Sequence, residues 1–445
     1  MTSVQQTCSH ASLVADVSPN GHQAGYKRID WERRTAATTR SGRVQKITSE
    51  QEGEQQSFSF AYPAPLVLPG DELACDPKYP PQSFRSWKHL KERNKVACNR
   101  KTIFVAGNPK LCKELSDMAE WTVPAGSKRG SAKPEVQSPQ FDDVLEYLRA
   151  FYHGFEVKSY THDLTFVPWK NSSAKGSFVG LKEGPSDTYT RIQIRPSPDG
   201  LFSHQLNLND LLDCAIDILP DDAYALLILV DYDLYEDEDD DFCCGRAYGG
   251  SRVAVVSSAR YNPFLFSQNG IETHHIWPAS HCAEYVASQC NLSSKKKKKK
   301  TPNRNDHMSD SALHKAVAAF KASLSTSSRQ PDYLHGLWLF CLARTASHEL
   351  GHCFSMDHCV YYACVMQGTA SVAEDLRQPP YLCPICAKKL AQAVEEGSET
   401  RFDEERYMQE AVAEMMVMCE KWKHVGVWAG YEAWLRRLIS SHESV

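Results

Sequence analysis

His348-Glu349-Leu350-Gly351-His352-Cys353-Phe354-Ser355-Met356-Asp357-His358-Cys359 is the stretch on which the reading of this chain turns. Residues four apart share one face of a helix, so His348 and His352 present two imidazoles to one ion. Glu349 stands one residue further on, beside such an ion, where a carboxylate serves as a general base toward water. His358 lies off that face, so the chain must turn sharply after His352 to bring it round. Three neutral imidazoles leave a fourth position open, the arrangement of a catalytic rather than a structural zinc. Ordinary surface or core histidines on a helix are the plain alternative, and the third histidine at this spacing argues against it.

The cysteines that follow extend the motif. Cys359 comes directly after the third histidine, Cys364 five residues later, and Cys383-Pro384-Ile385-Cys386 closes the group. Two close pairs at zinc-ribbon-like spacing predict a closed four-thiolate site, structural in role because no position is left for substrate. It would pin the loop carrying His358 and Met366. Free buried thiols are the alternative. Cys353 is expected in the core, since neighbouring residues on a helix point about 100° apart.

Working outward, Leu337, Leu339, Phe340, Leu342 and Ala343 make the preceding segment apolar on several sides. A central buried helix from about Asp332 into Phe354 is expected. Upstream, Phe141, Val144, Leu145, Leu148 and Phe151 fall at helical spacing, with a strand around Phe155–Tyr160. Arg191–Arg195 alternates like a strand, and Asn209 is placed to cap a helix that Pro220 stops. Ala225–Val230 is continuously apolar, as in a strand covered on both faces, and Val253–Val256 is another strand. Strand and helix alternate, which predicts an α/β layered domain. After Thr400 the chain reads as helical, and its stripe of Met408, Ala411, Val412, Met415 and Met416 reads as core packing.

Residues 1–60 show no sustained apolar period and read as a disordered segment; residues 61–135 mix aromatics with prolines and read as an irregular extension. The domain proper is expected over 136–445, with a disordered insertion at 288–310 around the lysine run Lys295–Lys300. That run and the acidic Glu236–Asp241 read as solvated loops, a nuclear localisation signal being the weaker reading of the lysines. His274 and His275 read as unconnected surface residues.

The 445 residues carry a formal net charge of only -5, so charge gives no argument for nucleic acid or acidic membranes as partners. The cysteines follow the third histidine too closely for an independent finger, and no aromatic–basic pattern accompanies them. The first thirty residues lack the apolar stretch of a signal peptide, and no run would span a bilayer. With 16 cysteines gathered partly into a Cys/His cluster, the expectation is an intracellular metal-binding chain, cytoplasmic with a nuclear location also open.

The order of HExxH, third histidine, adjacent cysteine, Cys364, Val365, Met366, Gln367, Gly368 and a late CPxC resembles the archaemetzincin family of metallopeptidases. The resemblance is most specific over residues 347–390. It extends more weakly to Leu226–Tyr235 and Arg252–Arg260, which resemble the family's paired core and edge strands. It implies a metzincin-type fold: a twisted mixed sheet, a long active-site helix, a Met-turn and a helical C-terminal part. Carried over, it implies catalytic zinc on His348, His352 and His358, with Glu349 as base. It also implies Met366 as the Met-turn residue and a second, structural zinc on Cys359, Cys364, Cys383 and Cys386. Hydrolysis of a peptide or protein substrate follows, with an extended substrate held by edge pairing around Arg252–Ser258. One departure stands out. The family places glycine where this chain has Ser355, at a turn that often needs positive φ, and serine there costs on the order of 1 kcal/mol. Zinc is still expected to bind, but a binding or scaffold protein with a silent peptidase site is the alternative reading.

Overall fold

The computed structural model describes residues 8, 10–44, 58–127, 136–169, 177–291, 310–327 and 330–442. Among the described residues eleven strands form two sheets. They are β1 (Thr102–Ala106), β2 (Lys110–Leu111), β3 (Glu156–Ser159), β4 (Leu164–Pro168), β5 (Phe178–Glu183) and β6 (Tyr189–Pro196). The others are β7 (His204–Asn207), β8 (Ala223–Val230), β9 (Asp233–Tyr235), β10 (Gly245–Tyr248) and β11 (Val253–Ser257). The first sheet runs β10-β11-β8-β1-β3 and the second β2-β4-β5-β6-β7-β9.

All pairings in the first sheet are parallel except β10 with β11, which is antiparallel. A parallel sheet needs cover on both faces, and the side chains of β8 show how it is provided. Ala225, Leu227 and Leu229 enter the core beneath the long helices, whereas Leu226, Ile228 and Val230 enter the core shared with the second sheet. Ile103 and Val105 of β1 follow the first set, Phe104 and Ala106 the second; Ala254/Val256 and Val253/Val255 of β11 divide likewise. This period of two places the first sheet as the middle layer of a mixed α/β body.

The helix expected from about Asp332 into Phe354 spans Pro331–Cys353, with Pro331 in its first turn. Most of its residues are buried, on β10 and β11 and against the helices Phe141–Phe151 and Gly426–His442. Trp338 Nε1 donates to Ser258 O (2.8 Å) and Trp428 Nε1 to Gly336 O (2.8 Å), anchoring it on both flanks. The segment after Thr400 forms helices Glu404–Lys421 and Gly426–His442; Met415 of the methionine stripe is buried, but Met408 lies exposed. The helix expected after Asn209 begins two residues earlier, because Asn207 is the cap, its side chain accepting from Asp210 N (3.0 Å).

The structure differs from the sequence reading in three places. Within 61–135, read as irregular, β1 stands at the interior of the first sheet between β8 and β3. Its five residues are too short for a local period, and its place comes from pairing with strands more than fifty residues away. Within 1–60, read as disordered, residues 10–44 are ordered around helices Pro19–Ala24 and Trp31–Ala37. Ser18 and Asp30 cap them, and Tyr26 Oη donates to Val360 O (2.8 Å). Residues 1–7, 9 and 45–57, and 292–309 of the expected insertion, lie outside the described residues. Lastly, Val253–Ser257 is an interior strand, not an edge: the edge is β10, which pairs antiparallel with it.

Candidate active site and metal centre

The helix Pro331–Cys353 ends where the motif needs it to. Ser355 N donates to His352 O (2.8 Å) and Met356 N to Gly351 O (3.2 Å), with Ser355 at φ 58°. These are the paired bonds of a Schellman cap, which requires a left-handed residue at this point. Serine therefore occupies the conformation expected of the family glycine. Three side chains from residues 79–87 hold the turn from outside. Gln82 donates to Ser355 O (3.0 Å) and accepts from Asp357 N (3.1 Å); Trp87 Nε1 donates to Phe354 O (2.7 Å); Tyr79 Oη donates to Asp357 Oδ1.

The turn brings His358 back to His348 and His352, and one ring nitrogen of each lies within 4.8 Å of the others. The far side of every ring is tied. His348 Nδ1 donates to Val365 O (2.7 Å), and His352 Nδ1 donates to Met356 O (2.7 Å). His358 Nδ1 lies 3.0 Å from Glu72 Oε1. Carbonyls and carboxylates accept only, so each Nδ1 carries the proton and each Nε2 of a neutral ring presents a lone pair inward. Burial, then the neighbouring imidazoles, pushes the His348 pKa well down and that of His352 down to about 4, so both stay neutral. Two such lone pairs face each other at 3.1 Å between His348 Nε2 and His352 Nε2. That approach is repulsive unless a cation lies between them. Zn–N bonds of about 2.0–2.1 Å in a tetrahedral site set neighbouring nitrogens about 3.3 Å apart, so the rings suit zinc.

Glu349 is buried in the wall of the same cleft, which has a volume of about 760 Å³. Burial is the main cause that raises its pKa, to about 8, partly countered by His358 and Arg246. Strand β10 forms the facing wall. Gly245 approaches so closely that a Cβ there would lie 3.4 Å from Glu349 Cγ. Beneath the helix, Met366 fills the space a side chain at position 351 would need: a Cβ there would lie 2.3 Å from Met366 Sδ. Cys353 is fully buried behind the site.

Cys359, Cys364, Cys383 and Cys386 are buried, and their sulfurs lie within 4.8 Å of one another. Cys359 Sγ and Cys383 Sγ are 3.6 Å apart, near the roughly 3.8 Å that Zn–S bonds of about 2.3 Å set in a tetrahedron. Hydrogen bonds from the other three thiols hold the Cys359 pKa well below the usual thiol range. Cys359 N donates to Met366 O (2.7 Å) and Val365 N to Tyr381 O (2.8 Å), so this cluster and the loop under the histidines are one unit.

Sequence reading missed Glu72, Tyr79, Gln82 and Trp87. Their bonds to the turn cross 267–286 positions, and no local spacing signals them; only the density of aromatics and prolines between Tyr62 and Trp87 marks a segment built to pack.

Residues 323–392 match the family model described as Peptidase family M54. Archaemetzincin-2 of Macaca fascicularis is 26% identical over 265 residues, covering 59% of this chain and 62% of that protein. The chain resembles the archaemetzincins, peptidase family M54. Archaemetzincin-1 of Rattus norvegicus is 28% identical over 225 residues, covering 49% of this chain and 37% of that one. The matched stretch thus spans less than two thirds of each of these archaemetzincins. The crystal structure of archaemetzincin from Methanopyrus kandleri shares 16% identity at a TM-score of 0.32, covering 67% of this chain and 97% of that one. The middle sheet, the long helix lying on it, the returning histidine and the methionine below agree with the arrangement expected from the motif.

Proposed function

We propose that this chain is a zinc-dependent metallopeptidase that hydrolyses peptide or protein substrates. In this reading one zinc sits on His348, His352 and His358, and a second, structural zinc sits on Cys359, Cys364, Cys383 and Cys386. The observation that carries it is the convergence of three imidazole nitrogens, those of His348 and His352 on rings held neutral, in a cleft that also holds Glu349.

Zinc on three imidazoles supplies Lewis acidity toward water and toward a substrate carbonyl. The chain's residues do the rest. A cation held among the imidazoles would draw Glu349, whose pKa burial raises to about 8, toward its carboxylate form at neutral pH. Glu349 takes a proton from water as the water oxygen bonds to the carbonyl carbon. It returns that proton to the amide nitrogen as the C–N bond breaks. Among the described residues no further strand lies beside β10 in its sheet, and β10 lines the cleft, so it is the strand on which an extended substrate would pair. The closed cap around Ser355 supports an active reading over a silent one, because the third imidazole reaches the others with the turn's bonds intact.

The test is cleavage of a mixed peptide library by the full chain and by Glu349→Ala, with zinc per chain measured on both. Turnover in the parent alone, with equal zinc, is expected. Equal turnover in the variant would remove Glu349 from the mechanism. No turnover in either, with zinc retained, would favour the binding or scaffold protein.

A further inference from the structure

A second group of histidines and cysteines lies away from the cleft. Cys8, His10, His275 and Cys282 each bring one ligand atom within 4.8 Å of the other three. They come from two distant stretches, Cys8-x-His10 near the start and His275 to Cys282 in the loop after β11. Backbone pairing holds the stretches together: Val14 N donates to His281 O (2.8 Å) and Ala283 N to Ser12 O (2.9 Å).

The donor chemistry is more telling than the proximity. His10 Nε2 lies 3.2 Å from His274 O, and His275 Nδ1 lies 2.8 Å from Glu272 Oε2. Each acceptor places the ring proton on the outer nitrogen, the usual support of a metal-binding histidine. The inner nitrogens, His10 Nδ1 and His275 Nε2, are buried; neither meets a nitrogen or oxygen partner among the described residues, and His275 faces the Cys282 thiol. A buried lone pair without a full partner is costly. Tyr285 stacks on His275 with ring centroids 4.3 Å apart and the planes 11° from parallel, fixing that ring's aim. Cys8 Sγ and Cys282 Sγ are 3.1 Å apart, and Cys8 Sγ also lies 3.2 Å from Glu284 Oε2. A disulfide would draw the sulfurs to about 2.05 Å and leave both imidazole nitrogens without partners. A cation satisfies all four atoms at once.

We propose that Cys8, His10, His275 and Cys282 form a further zinc site, tetrahedral and closed, that staples the N-terminal arm to the loop after β11. Binding releases the two thiol protons to solvent, and no position remains for substrate. The staple bears on the cleft indirectly. From the same loop Trp277 N donates to Leu376 O (2.9 Å) and Ser280 Oγ to Arg377 O (3.0 Å), and Arg377 pairs with Asp71, the neighbour of the histidine-supporting Glu72.

The experiment measures zinc per chain by elemental analysis on the full protein purified under reducing conditions, for the parent and for Cys8→Ser/Cys282→Ser. The expected result is a loss of one zinc equivalent in the variant and more rapid proteolysis of the arm. Alkylation of individual cysteines in the native parent, mapped by peptide, needs no variant and gives a second reading. Cys8 and Cys282 should resist alkylation until a chelator is added, then react without reductant. Equal zinc content in variant and parent would overturn the proposal. So would immediate alkylation of both thiols, or their resistance to chelator followed by release with reductant, which marks a disulfide. None of these readouts depends on turnover, so a failure of the peptidase reading leaves them unaffected.

Discussion

Glu72 Oε1 lies 3.0 Å from His358 Nδ1, although the two residues stand 286 positions apart. The contact needs Gly368, where a Cβ would lie 2.3 Å from Glu72 Oε1. Support of a metal-binding ring by a carboxylate typically contributes 10- to 100-fold in metal affinity. Glu72→Ala should therefore weaken zinc at the histidine site by about that factor, read by competition with a chromogenic chelator, while zinc at the cysteine site stays. Unchanged affinity at the histidine site would show that His358 is oriented by the turn alone. Gly368→Ala, by displacing the carboxylate, should reproduce part of the loss.

Ser355 holds a left-handed conformation at φ 58° and closes the helix cap. Glycine carries no Cβ penalty there, so Ser355→Gly should stabilise the fold by about 1 kcal/mol in denaturant unfolding. Peptidase turnover should change by less than about fivefold, since tenfold needs a difference of about 1.4 kcal/mol. A much larger gain in turnover would mean that serine has silenced the site.

Met366 and Gly351 occupy one another's space, the would-be Cβ meeting Sδ at 2.3 Å. Overpacking of this kind costs about 1–3 kcal/mol. Gly351→Ala is expected to lower stability by that amount and, by shifting the floor beneath the imidazoles, to weaken zinc at the histidine site. Pairing it with Met366→Ala should recover part of the stability, and the absence of any recovery would disprove the coupling.

The two clusters should part on chelation. The histidines line an open cleft of about 760 Å³, whereas the four sulfurs are all buried. A mild chelator should strip the histidine site first, abolishing turnover with little change in far-UV circular dichroism. Slower loss of the second zinc should lower the melting temperature, because four buried thiols are then left to hold the loop of Met366. Loss of both metals in one phase would contradict this order.

How far could the sequence be read? The histidine and cysteine clusters were legible because their ligands recur at short spacings within 348–386, where helix period and metal geometry act locally. The long helix, β8 and β11 were legible for a similar reason: burial on several sides leaves an unbroken apolar run. Other features depend on partners remote in sequence. β1 is five residues that become a strand only between β8 and β3. β10, with its exposed Arg246 and two half-buried neighbours, has no apolar signature and becomes the cleft wall because β11 pairs with it. Glu72, Gln82 and Trp87 show nothing locally of their hold on the turn, and His275 has the sequence of a surface residue although Cys8, His10 and Cys282 surround it in the fold. What the chain itself determined was chemistry carried by residues within one or two helical turns. Which distant residues complete that chemistry was decided only in three dimensions, since non-local contacts follow from how the whole core is buried and leave no period in the sequence.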